Sequence, residues 1–189
     1  SAFSGCDKLL YVDCPATDEL NIGNSAFSRS VKLKEFISPA KISGVGNYAF
    51  GWCYSLENLE LNDVTGSIGT QVFEYSSKLE SISIASVGGN ISTNAFYGSN
   101  IKELAINSIG GDIQKNAFNV CSKLQDVRIG TMTGKLHDEA FLSCPSLKHV
   151  EFQYGPATIG TRIFRYSDNL ESFIAGDGLT DIAHYKTPS

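Results

Sequence analysis

The chain predicts an α/β-type repeat solenoid of about eight coils, each giving one short strand to a parallel sheet on a concave face, with a mostly irregular or 3-10 convex side. Three observations carry this. Phe3, Phe27, Phe50, Phe73, Phe96, Phe118, Phe141 and Phe164 are separated by 24, 23, 23, 23, 22, 23 and 23 residues. Other apolar positions keep the same period, and so do the glycines between them. A fixed period of about 20–50 residues marks units that cannot bury their apolar faces alone and do so by stacking.

The strand comes from the alternation that follows each Phe. Six residues on stands Leu9, Leu33, Leu56, Leu79, Leu124, Leu147 or Leu170, and three further an apolar residue: Val12, Phe36, Leu59, Ile82, Val127, Val150 or Phe173. Leu61, Ile84, Ile129 and Phe152 extend the two-residue rhythm of a half-buried strand. The fifth unit loses one residue between Phe96 and Ile101 and resumes with Leu104 and Ile106. Strands in successive units must then pair in parallel at about 4.8 Å, giving a ladder on the order of 35 Å long.

The return path is marked next. Gly66, Gly89, Gly111 and Gly134 lie seven residues before a Phe, and Gly23, Gly46, Gly69 and Gly160 four before one. They are expected where the backbone turns tightly or takes positive φ. Ile22, Val45, Ile68, Ile91, Ile113, Leu136 and Ile159 stand five before a Phe and add a further core line. Phe27, Phe50, Phe73, Phe96, Phe118, Phe141 and Phe164 are the expected structural spine, bulky enough to prop open the side away from the strands and curve the stack.

Residues 1–189 read as one elongated domain of about eight repeats. The opening inside a repeat, and a ninth unit that starts at Ile182 but has Thr187-Pro188-Ser189 where its Phe should fall, suggest a piece of a longer chain. With 42% hydrophobic and 19% charged residues the chain can bury a continuous core. A net charge of -5 with interspersed signs gives no basic stripe to follow phosphates, so nucleic acid is not an expected partner. No apolar run reaches the ~18 residues of a bilayer-crossing helix, so no membrane insertion is expected in this segment.

The pattern Ala-Phe-x-x-Cys/Ser-x-x-Leu-x-x-Ile-x-Ile with an upstream Ile-Gly resembles the BspA-type (treponemal) class of leucine-rich repeats. Val45-Gly46-Asn47-Tyr48-Ala49-Phe50-Gly51-Trp52-Cys53-Tyr54-Ser55-Leu56 carries the resemblance most fully, and it extends from residue 2 to about 182. It implies a leucine-rich repeat arc on surface or secreted proteins of host-associated bacteria and some protists. The implied role is adhesion or binding of a protein, such as an extracellular-matrix or host surface protein, with a glycan as a further partner class. The Asn that follows the strand in ordinary leucine-rich repeats is missing, so that family's asparagine ladder does not carry over.

Chemistry-bearing residues are sparse. Cys6, Cys53, Cys121 and Cys144 take the place that other units give to Ser30, Ser76, Ser99 and Ser167, which reads as a small packing position. Stacking would bring Cys121 and Cys144 within disulfide reach without requiring a bond. No Cys or His spacing suits a metal, and no cofactor is expected. His137 replaces a turn glycine, His149 points outward from a strand, and His184 is terminal. No nucleophile elbow, HExxH or phosphate loop occurs, so no catalytic residue is assigned. Asn90-Ile91-Ser92 is a formal glycosylation sequon of little weight.

The variable outward strand positions are the candidate partner-binding concave face: Asn58, Glu60, Ser81, Ser83, Glu103, Asp126, Arg128, His149 and Glu151. Tyr11, Asp13, Glu35, Ile37, Ala105, Ser172 and Ile174 complete the set. A second surface group, Trp52, Tyr54 and Tyr75, reads as a shield over the core edge. The expected function is a non-catalytic binding module on a cell surface or in secreted form. The alternatives are a passive spacer, or a polysaccharide-degrading β-helix enzyme, whose Asp, Lys and Arg would gather on successive coils. Arg128 is the only cation among the outward strand positions.

Overall fold

The computed structural model describes residues 1–182; His184 and Thr187-Pro188-Ser189 lie outside the described residues. Among the described residues fourteen strands follow one another: β1 Tyr11–Asp13, β2 Glu19–Ile22, β3 Glu35–Ser38, β4 Lys41–Val45, β5 Asn58–Leu61, β6 Ser81–Ile84, β7 Ser86–Val87, β8 Glu103–Ile109, β9 Asp126–Met132, β10 Lys135–Leu136, β11 His149–Tyr154, β12 Thr158–Ile159, β13 Ser172–Ile174 and β14 Asp181–Ile182. All pairings are parallel and join successive coils, so the chain is a parallel β-solenoid.

Among the described residues there is no helix, and the α/β label is therefore corrected. The reason lies in the arc around each Phe. Thirteen non-glycine residues take φ between 53° and 61°, and each stands two before or two after a spine Phe, as Tyr48 and Trp52 flank Phe50. A left-handed residue every fourth position interrupts any right-handed helix within one turn. Alternate N–H groups instead close tight turns and reach across coils. Ala49, Gly51 and Cys53 donate to Gly46, Tyr48 and Phe50 within the coil, while Tyr48, Phe50 and Trp52 donate to Thr70, Val72 and Glu74 of the next at 2.8–2.9 Å. Every second peptide thus satisfies its neighbour coil, as a buried backbone must.

The expectation of one strand per repeat is also too low. Ile22, Val45, Ile68, Ile91, Ile113, Leu136, Ile159 and Ile182 form a second unbroken line of parallel bridges along the stack. Ile42, Val64, Val87, Ile109 and Met132 form a third line of buried side chains, each bridged to the next. The return-path glycines do not have positive φ; Gly5, Gly98, Gly176 and Gly178 do. Gly66 is needed for close approach instead, since a Cβ there would collide with the Ser43 carbonyl oxygen of the preceding coil.

The core is a single cluster running through the stack. Phe50, Phe73, Phe96, Phe118 and Phe141 are fully buried and Phe27 nearly so, whereas Phe3 at the open end is 46% exposed and Phe164 half-buried. Successive spine rings stand 4.8–5.8 Å apart. That spacing is close to the ~4.8 Å of paired strands, and the Phe arcs are laced coil to coil by hydrogen bonds. The rings therefore repeat along the stack at slightly more than the spacing of paired strands.

One irregularity divides the strand face. The first ladder runs β1-β3-β5-β6 and the second β13-β11-β9-β8-β7, with no ladder between β6 and β8. The break falls where the offset between coils changes from 23 to 22 residues, and it is flanked by hydrogen bonds from the Lys102 N–H to the Glu80 carbonyl and from the Asn107 N–H to the Ala85 carbonyl.

Candidate interaction surface

On each strand the buried and exposed side chains alternate, as in β5, where Leu59 and Leu61 are buried and Asn58 and Glu60 exposed. Parallel register then sets the exposed residues in rows. Asn58 pairs with Ser81 and Glu60 with Ser83. Beyond the break, Glu103, Asp126 and His149 share one row and Ala105, Arg128 and Glu151 the next. The nine expected residues thus fall into two groups, one per ladder. All are exposed but Asp126, which is half-buried.

Few of these side chains are tied down. Arg128 reaches Asp126 on its own strand at 3.4 Å, and the His149 ring meets the Ser172 hydroxyl at 3.0 Å. Glu103 stands directly beside Asp126, a like-charge pair of the kind that weakens a sheet. At the break, a residue not singled out from the sequence joins the face: Glu80 binds Lys102 at 2.7 Å and Lys123 at 3.3 Å. The Lys102 and Lys123 hydrogen bonds hold its carboxyl below the usual range. The signal was available, because Glu57, Glu80 and Lys102 are one row of the repeat, the position after each core Leu or Ile.

The missing asparagine ladder has substitutes on the return path. Asn24, Asn47 and Asp138, three before a Phe, accept through Oδ1 from the N–H of Asn47, Thr70 and Thr161 one coil on at 2.7–2.9 Å. Three residues earlier in the coil, Ser67, Asn90 and Asp112 likewise accept from Asn90, Asp112 and Lys135. Partial burial pushes the Asp112 carboxyl up, but the Lys135 N–H and the His137 ring, 2.8 Å away, outweigh it and leave it below its ordinary value. His137 therefore makes a polar contact at its turn rather than standing alone.

The cysteines are interior. Cys53, Cys121 and Cys144 are buried, Cys6 and Cys14 half-buried, and all five thiols are free. Burial pushes the Cys53 thiol up to about 12. Contact with Cys121, together with burial, raises Cys144 further. Thiols so far from ionisation are poor nucleophiles. Among the described residues no three His, Cys, Asp or Glu side chains gather in a way that could hold a metal. No helix among them is long and apolar enough to cross a membrane.

The aromatic group is partly a shield. Trp52 is half-buried, with the Tyr48 ring stacked on it at 5.8 Å and Arg29 over it at 5.4 Å. Tyr75 packs edge-on against Tyr97 at 5.5 Å, while Tyr54 stays 47% exposed.

Among the described residues, a stack of roughly 23-residue coils without a helix, each with a leucine-type strand and a spine Phe that is buried in the inner coils, defines a leucine-type parallel solenoid. The sequence matches the BspA type leucine rich repeat region in six copies over residues 1–125 and 67–186, and the chain belongs to that family. Among curated proteins none matches. Among solved structures it is similar to a leucine rich cell surface protein of Faecalibacterium prausnitzii A2-165, at 12% identity over 88% of this chain and 77% of that one, with a TM-score of 0.31.

Proposed function

We propose that the array is a non-catalytic repeat module that binds a protein partner through its strand face, as part of a surface or secreted protein. The supporting observation is the arrangement of that face. Its outward side chains vary from coil to coil, yet they stand in fixed rows on a backbone whose coils are hydrogen-bonded to one another. Association with a surface already ordered does not incur the entropy of fixing it. The proposed contacts are Asn58, Glu60, Ser81 and Ser83 on one ladder and Glu103, Asp126, Arg128, His149 and Glu151 on the other. Surface exposure and an adhesive role, with extracellular-matrix or host proteins or their glycans as partners, are extensions of the family resemblance.

The test is capture of extracellular-matrix and host-surface proteins by the immobilised module, against a variant with alanine at Asn58, Glu60, Asp126, Arg128 and Glu151. Loss of capture is expected. Equal capture by both would remove the strand face from the proposal. A passive spacer would keep its function when replaced by an unrelated rod of equal length, and a binder would not. The enzyme reading is less favoured, because Arg128 is already engaged with Asp126 and no further cation joins it on the outward strand rows.

A further inference from the structure

Away from the strand face, in the turns after Phe3, Phe27 and Phe50, an open concavity of about 500 Å³ is lined by Gly5, Asp7, Arg29, Val31, Trp52 and Tyr54. Its volume is in the range of small-ligand sites. The repeat explains its walls. Gly5, Arg29 and Trp52 are the second residue after their Phe, and Asp7, Val31 and Tyr54 the fourth, so two rows three coils long face the same space.

Three features make it more than a gap between coils. At Gly5 a Cβ would meet nothing within 4 Å, whereas at Gly98, the other glycine in this row, it would touch the Tyr75 ring. Having no side chain, Gly5 leaves the concavity unfilled at the first position of its row. Next, Arg29 lies over the Trp52 indole at 5.4 Å, and the indole is itself stacked by Tyr48. Its guanidinium is positioned by the ring, and among the described residues neither Asp7 nor any other carboxylate pairs with it. A planar fork of N–H donors held in this way suits a carboxylate, which it binds through two parallel hydrogen bonds. Finally, the exposed Tyr54 ring and Val31 give an apolar wall, and Asp7 adds a charge that can only accept hydrogen bonds.

The geometry points to a binding site for an acidic sugar, a uronic-acid or sialic-acid type residue of a glycan. Its carboxylate sits on Arg29, its apolar ring face lies against Tyr54, and its hydroxyls donate to Asp7. A simple carboxylate satisfies Arg29 but brings no donor to Asp7, which then repels it. A neutral sugar leaves the guanidinium fork empty. The site shares no residue with the proposed strand-face contacts and stands or falls apart from them.

Trp52 is the only tryptophan in the chain, so its fluorescence reports on this site directly. Sodium glucuronate and N-acetylneuraminate are titrated against glucose, acetate and a short peptide with a free C-terminal carboxylate, at matched ionic strength. The two acidic sugars are expected to shift the emission with half-saturation in roughly the millimolar range, typical of a single small contact set, and the other three to leave it unchanged. Arg29→Lys keeps the charge but not the fork and should weaken binding at least about tenfold; Tyr54→Ala and Asp7→Asn should each weaken it severalfold. Arg29 is exposed, so its variant folds, which circular dichroism checks. The proposal is overturned if acetate or the peptide titrates as well as glucuronate, if neither acidic sugar titrates, or if Arg29→Lys binds like the wild type. The strand-face alanine variant should bind acidic sugar unchanged, and loss there would also overturn it.

Discussion

The Cys53 thiol donates to the carbonyl oxygen of Phe27, one coil back, at 3.1 Å. The same bond recurs along the stack: Cys121 to Phe96, Cys144 to Phe118, and, with a hydroxyl in place of the thiol, Ser76 to Phe50 and Ser167 to Phe141 at 2.9–3.2 Å. The position takes cysteine or serine because it needs a small donor beside a buried carbonyl. Cys53→Ser should be within about 0.5 kcal/mol of the wild type or slightly more stable, since a hydroxyl is the better donor. Cys53→Ala should cost about 1–2 kcal/mol through the lost bond and the small void. Urea unfolding of both variants checks this, and equal stability of the two would mean the donor is irrelevant.

Phe96 is fully buried between Phe73 and Phe118, whose ring centroids each lie 4.8 Å from its own. Phe96→Ala should cost about 3–5 kcal/mol by removing a core side chain from a site whose backbone is pinned on both sides. Because stability in a stack is the sum of coil and interface contributions, the variant should also melt in two steps, with the arrays on either side of coil five separating. Calorimetry reads both effects. A single transition at the wild-type temperature would mean that the spine does not couple the coils.

Val120 occupies a left-handed backbone conformation, φ 61°, while its side chain is 40% exposed. β-branching makes that conformation costly, and little packing offsets it. Gly98 holds the equivalent place one coil earlier. Val120→Asn should therefore stabilise the protein by about 0.5–1 kcal/mol, asparagine tolerating this region well. A melting temperature that fell would show that the Val120 side chain contributes packing beyond what its exposure indicates.

The spine and the strands were legible because burial repeats with the chain: Phe50, Leu56 and Leu59 recur every 23 residues and each is buried. The Phe arc was not legible, since its left-handed positions are filled by Tyr48, Trp52, Gln71 and Val120 rather than by glycine. Residue type carries little backbone signal where the coil above and below imposes the conformation. The second bridge line through Ile68 and Ile91 was visible as an apolar period but not as a ladder, because one residue per coil is too short a segment to show alternation. Glu80 and the Asn47 and Asp138 acceptors escaped notice for a different reason: a polar residue in a turn ordinarily reads as solvated, and only stacking turns it toward its neighbour's N–H.

Those acceptors give the array a pH dependence. The Thr161 N–H, donating to Asp138 at 2.7 Å, holds that carboxyl below its ordinary value against the opposing effect of partial burial. Asp112 is also depressed, by the Lys135 N–H and His137. A carboxyl whose folded pKa lies below its unfolded value binds its proton more weakly in the folded chain. Its contribution is fully present above the unfolded value, about 3.9, and is lost as pH falls through the folded value. The array should therefore be level in stability from pH 7 to about 5 as far as these two groups are concerned, and lose it below about 4. Asp138→Asn keeps an acceptor for Thr161, as Asn47 does for Thr70, but cannot titrate. It should cost about 1 kcal/mol at pH 7, where the charge strengthens the bond, and the deficit should shrink toward zero as the wild type is acidified. Paired urea titrations at pH 7 and pH 3 measure the difference, and a deficit that is the same at both would mean that the Asp138 charge plays no part in joining coil seven to coil eight.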